Sequence, residues 1–301
     1  MTTYTMGARA GEHVAAEFDA NYNRDAVTVL SGQDLAAGAV LGRITKALAA
    51  GPIPTIVGTG TGAMTALTFG PDVQVGVYTI TLLATSATAA FSVVAPDGTI
   101  LPNGAVGTAY VSTHASFLIS SAGTMTIGDA YALTVTAGGT PAIVGTGTGL
   151  MSAISLGPDA QNGAYRIQLL ATSATGEFEV IAPDGTKLRR GQVATAYTST
   201  HVNFSIANGG TMTSGDYYNI VVAKGSQKVV EFTPTTYDGR HIAAGVLHAA
   251  VDASSGDAAG VALVRGPAVV IESELGWAAA VTTAQKATAL AQLKAAGIVA
   301  R

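Results

Sequence analysis

The middle of the chain repeats itself without a gap, and that duplication restricts the folds open to it more than any other feature. Ile56-Val57-Gly58-Thr59-Gly60-Thr61-Gly62 returns at Ile143 to Gly149, Gly70-Pro71-Asp72 at Gly157 to Asp159, and Leu82 to Thr88 at Leu169 to Thr175. Ala95-Pro96-Asp97-Gly98-Thr99 recurs at Ala182 to Thr186, Ser112-Thr113-His114 at Ser199 to His201, and Gly128-Asp129 at Gly215-Asp216. Every pair keeps one offset, 87 residues, as Ile143 follows Ile56. A constant offset marks two copies of one structural unit.

Within each copy the apolar residues alternate. Tyr78, Ile80 and Leu82, then Phe91 and Val93, then Phe117 and Ile119, then Tyr131, Leu133 and Val135 each point one way along a strand. Gly-Pro-Asp, Pro-Asp-Gly and Gly-Asp separate these runs at the spacing of an all-β sandwich, and no helical periodicity intervenes. The pattern predicts two β-sandwich repeats, residues 52–137 and 140–225. The joint between them, Ala137-Gly138-Gly139-Thr140, is short, which predicts copies lying side by side.

The flanks are written differently. Residues 25–50 and 226–301 read as one discontinuous scaffold that the repeats interrupt. Val27 and Val29 alternate up to a turn at Ser31-Gly32-Gln33-Asp34, and Leu41 lies in a Gly-punctuated apolar run. After the repeats come Val229 to Phe232, Val246 in a second apolar run, the single Trp277, and one helix. Thr282 to Gln285 offers that helix a capping box, Gly297 its C-terminal cap, and Ala287, Leu290 and Leu293 a shared face. The predicted scaffold core holds Val27, Val29, Leu41, Val246, Trp277, Leu290 and Leu293. Residues 1–24 carry scattered apolar side chains, Tyr4, Met6, Val14, Phe18 and Tyr22, and read as a flexible arm whose anchors order on a partner.

Composition closes off several function classes. Charged residues make up 11% of the 301, with a net charge of −4, a weak field with which to hold nucleic acid or an anionic membrane. Cysteine is absent, so thiolate metal sites and disulfide frameworks are excluded. The apolar content is spread rather than gathered into a membrane-length run, and the N-terminus lacks the pattern of a secretory signal. A protein made where it is used is expected.

The chemistry-bearing motifs are weak. Gly58 to Gly62 lacks the terminal Gly-Lys-Ser/Thr of a phosphate loop and leads into a strand instead of a helix N-terminus. His114 and His201 have no second ligand at metal spacing. Asp97, Asp129, Asp184 and Asp216 sit beside Gly, where Asp stabilises a turn through its own backbone. No catalytic constellation, metal site or cofactor motif emerges.

The scaffold halves carry a further pattern. Ala26-Val27-Thr28-Val29, Ser31 through Gly42, Ala243-Ala244-Gly245-Val246-Leu247, Val251-Asp252-Ala253 and the closing Thr283 to Arg301 together resemble the head decoration protein D family of lambda-like phages. The resemblance implies a mainly β fold with a β-clip-type scaffold and one C-terminal helix, here interrupted by the tandem β-sandwiches. It further implies a homotrimer on the outer surface of the virion head, made in the host cytoplasm, bound to the major capsid protein at quasi-threefold sites and stabilising the shell against packaged DNA. In that family the N-terminal arm pairs with the coat. A second reading makes the repeats capsid-displayed adhesins for glycans or a host surface, with Tyr78, Tyr110, Tyr131, Tyr165, Tyr197 and Tyr218 as the aromatic residues on offer.

Overall fold

Alternation of β-branched and aromatic residues with Gly- and Asp-rich turns is realised as strand after strand: the fold is mainly β, 43% strand and 7% helix, with its long helix near the C-terminus. The structure is a computed structural model and describes residues 9–50, 55–138, 141 and 143–301. The chain divides into two compact units, one comprising the residues up to Thr45 together with Ser226–Arg301, the other Lys46–Gly225.

The discontinuous unit is built on a closed barrel in the order Arg24–Val29, Val229–Glu231, Val40–Arg43, Ala243–Leu247, Ala258–Leu263. Closure leaves no unpaired edge in that sheet. Each strand from before the insertion lies between two from after it: Val29 lies opposite Val229, Leu41 opposite Glu231 and Gly245, and Val27 opposite Gly260. Val27, Val29, Leu35, Leu41 and Leu247 fill one cluster. Val40, Phe232, Val246, Val270, Ala289, Leu293 and Ile298 fill a second, against which Trp277 and Leu290 pack half-buried. Fully burying one such aliphatic or aromatic side chain contributes roughly 1.5–3 kcal/mol.

The helix Thr283–Ala295 starts as its sequence dictates. Gln285 N–H donates to the Thr282 hydroxyl at 3.4 Å, and Thr282 N–H donates to Gln285 Oε1 at 2.9 Å. Gly297, with φ +82°, follows the last turn. The buried face differs from the expected one. Ala287 is exposed, and the residues that pack into the core are Ala289, Leu290 and Leu293. Lys286 lies beside them, with Nζ 5.7 Å from the Trp277 ring centre in a cation–π contact.

Residues 9–24 also depart from a free arm. Val14–Glu17 is a strand on Ala268–Val270, which pairs in turn with Ile298–Ala300. A short helical turn, Ala20–Asn23, follows under an Asp19 cap. Asn23 is buried and donates to the carbonyls of Arg265 and Pro267 while accepting from Asp19 N–H. Strand pairing and one buried polar side chain thus anchor a segment poor in apolar residues.

In the inserted unit Lys46–Ala50, read from sequence as scaffold, is the central strand of an 11-stranded sheet. On one edge Ala49 pairs with Ala137 of the first repeat, and on the other with Val221 of the second. The copies therefore lie side by side in one sheet. Ala49, Val221 and Ala223 join the core of the first repeat, whereas Tyr218 and Ile220 lie opposite Ile167 and Tyr165 in the second. Successive residues of a strand face opposite ways, so the two cores occupy opposite faces of the shared sheet. A two-stranded antiparallel layer covers each core: Met64–Phe69 with Ala115–Ile119, and Met151–Leu156 with Val202–Ile206.

The copies keep their cores and differ outside. Arg166, Glu177, Glu179, Lys187, Arg189 and Arg190 replace Thr79, Ala90, Ser92, Ile100, Pro102 and Asn103. The new charges pair locally, Lys187 with Glu179 at 3.0 Å and Arg190 with Glu177 at 3.4 Å, and Arg166 lies 3.9 Å over the Tyr217 ring. Exposed pairs of this kind contribute about 0–1 kcal/mol each.

Candidate functional site

The surface features of the scaffold that call for an explanation are aromatic. Phe18 is 77% exposed and Tyr22 53% exposed, both beside the strand Val14–Glu17. Their positions are set by well-satisfied backbone: Phe18 N–H donates to the Pro267 carbonyl at 3.2 Å, and Tyr22 N–H to the Asp19 carbonyl at 3.1 Å. Arg265 lies 5.6 Å over the Tyr22 ring and is held by Asp25 and the Tyr22 carbonyl. Large apolar side chains displayed on ordered backbone are what a partner surface buries. Val14 is half-buried in the strand rather than displayed, and Tyr4 and Met6 lie outside the described residues. Of the predicted scaffold core, Val27, Val29, Leu41, Val246 and Leu293 are buried, and Trp277 packs edge-on to Phe232 at 6.2 Å.

The Gly-Thr-Gly loops bind the protein's own carboxylates. Asp129 is 7% exposed and accepts from Thr59 N–H at 3.2 Å and Gly60 N–H at 2.7 Å; Asp216 accepts from Thr146 at 3.1 Å and Gly147 at 2.7 Å. In the sequence these aspartates read as stabilising their own turns. Their burial against the loop shows a longer-range role, and the signal available was that the two motifs are duplicated together. Gly58 is required because a Cβ there would overlap Asp129 Oδ1. The loop amides that could have held a phosphate are occupied.

His114 and His201 are equally committed. Tyr78 hydroxyl and His114 Nδ1 are 3.2 Å apart, Tyr165 and His201 3.1 Å, and each tyrosine oxygen also accepts a backbone N–H, from Gln74 or Gln161. Burial pushes the Tyr78 phenol up to about 12, so it stays neutral. The Thr99 amide and then the Gln74 side chain pull Asp97 down to about 2. These repeated contacts pin loops to strands. Among the described residues no group of three or more His, Asp and Glu side chains converges as metal ligands would, and no helix is long and apolar enough to cross a membrane. An open depression of about 560 Å³ is lined by Glu272, Ser273, Leu275, Trp277, Lys286 and Arg301, without a nucleophile paired to a base.

The tyrosines considered for sugar stacking face inward. Tyr78, Tyr110, Tyr131, Tyr165, Tyr197 and Tyr218 are all buried, and Tyr131 donates to the Gly62 carbonyl at 2.9 Å.

Comparison with known proteins gives a match at the family level. The family model of bacteriophage lambda head decoration protein D matches residues 3–298. No curated protein and no solved structure matches the chain.

Proposed function

The chain belongs to the bacteriophage lambda head decoration protein D family, and from that premise we propose that it cements the phage head, binding as a trimer to the outer surface at quasi-threefold sites. Capsid decoration is the family's role, and the virion head its location. The finer reading is that the scaffold docks on the major capsid protein, that its binding stabilises the shell against internal DNA, and that the protein is made in the host cytoplasm. It acts as a structural protein, without catalysis.

The observation that carries this reading is the exposed pair Phe18 and Tyr22 on ordered backbone. Buried aromatic anchors often cost 2 kcal/mol or more when truncated at an interface. Many copies on one lattice would multiply a modest single-site affinity. The test is co-sedimentation with undecorated heads of the wild type and a Phe18→Ser/Tyr22→Ser variant, with solution mass measured for both. Loss of at least about thirtyfold in affinity with unchanged mass is expected from the anchor energies. Full binding by the variant would remove the docking role of this surface, and a monomeric wild type on the head would remove the trimer.

The adhesin alternative is weakened, because Tyr78, Tyr110, Tyr131, Tyr165, Tyr197 and Tyr218 are core residues. A glycan array probed with the whole chain decides it.

A further inference from the structure

Two histidines meet beneath the N-terminal strand. His13 is buried and directly precedes Val14–Glu17; His248 is half-buried and follows Ala243–Leu247. Their ring centres are 6.3 Å apart, edge to face. The segment closes over them through backbone bonds: Gly11 N–H donates to the His248 carbonyl and Ile271 N–H to the His13 carbonyl, at 2.9 and 2.8 Å. Gly11 is packed so near the His248 ring that a Cβ would lie 2.8 Å from Cε1.

The charged group in direct contact with the pair is a cation. Arg24 is salt-bridged to Glu17, and its Nη1 lies 3.1 Å from His248 Nε2. Arginine only donates, so His248 Nε2 accepts and the ring is neutral with its proton on Nδ1. His248 Nδ1 and His13 Nε2 are buried without a hydrogen-bond partner. Glu17, the carboxylate beside the pair, is committed to Arg24. Glu12 is exposed and accepts from Arg9 N–H, and Glu272 and Glu274, beyond Ile271, are exposed.

We propose that His13 and His248 form an acid-sensitive latch: neutral, they hold residues 11–17 on the Ala268–Val270 edge, and protonated, they release that segment. A proton on His248 places a cation against Arg24, and one on His13 charges a buried ring.

The sign follows from linkage. Burial first, then His248 and Arg24, holds His13 below its ordinary 6.5; burial, then Arg24, lowers His248 against the opposing pull of Glu17. A depressed histidine binds fewer protons closed than open, so closure is fully favoured above the ordinary value and weakens as pH falls through the window beneath it. Within that window the opened population grows about tenfold per pH unit for each extra proton bound.

Hydrogen exchange of the full chain tests the latch, with amides of Val14–Glu17 followed from pH 7.5 to 5 and corrected for the intrinsic rate. Protection is expected to fall steeply below neutrality in the wild type and to level out in His13→Gln and His248→Gln, whose side chains do not titrate. A flat wild-type profile, or a fall unchanged in both variants, overturns the proposal. Should a variant fail to fold, an NMR titration of the wild-type imidazoles replaces it, and either ring titrating at or above its ordinary value overturns the latch.

Discussion

Replacing Asp129 by Ala should destabilise the inserted unit while leaving the scaffold untouched. The carboxylate accepts two backbone N–H groups, from Thr59 and Gly60, in a buried setting. Hydrogen bonds to a charged group contribute about 1.5–3 kcal/mol each, and the orphaned donors are then partly desolvated. Water entering the vacated space recovers some of that, so a net loss of about 3 kcal/mol is expected. With a urea slope of about 1–3 kcal/mol per molar, the midpoint drops by roughly 1–3 M. The chain supplies its own reporters. The single Trp277 sits in the scaffold, whereas Tyr78, Tyr110, Tyr131, Tyr165, Tyr197, Tyr217 and Tyr218 sit in the insertion. Tyrosine circular dichroism should therefore shift while the tryptophan fluorescence transition stays. Asp216→Ala should match it, since Thr146 and Gly147 repeat the cradle. A shift under about 0.5 kcal/mol in both variants, the scale of an ordinary surface substitution, would refute the claim that these carboxylates organise the loops.

Two further outcomes follow from the same repeats. Gly58→Ala should destabilise more than Gly98→Ala by urea denaturation: both backbones are left-handed, φ +145° and +85°, but the added methyl meets Asp129 in one case and open space in the other. At high pH the raised phenols make stability fall. A group whose folded value lies above its unfolded one keeps the folded form favoured below the unfolded value, so the Tyr78 contribution is intact below pH 10 and is lost as pH rises through about 12. Phenolate absorbance of the buried tyrosines should rise together with unfolding, and Tyr78→Phe should flatten that part of the stability profile.

The duplication, the β class and the closing helix were all legible in the order of residues. Equal spacing of Gly58 and Gly145, alternation through Tyr78, Ile80 and Leu82, and the Thr282 to Gln285 capping box are local signals, and local hydrogen bonding and side-chain periodicity answer to them directly. The exposed pair Phe18 and Tyr22 was marked by the rarity of large apolar residues near the N-terminus, although the anchoring of their backbone through Asn23 was not. The family resemblance lay in the scaffold halves, where residue order was kept on both sides of the insertion.

Tertiary structure alone decided which strands became neighbours. Period-two alternation tells which side chains seek a core, but not which face of a shared sheet that core occupies, and so Lys46–Ala50 reads as scaffold in sequence whereas its pairing puts it between both repeats. The same limit hid the Asp129 cradle and the meeting of His13 with His248, residues far apart in sequence. Side chains that distant are brought together by burial and strand pairing summed over the whole fold, and no local segment carries that sum.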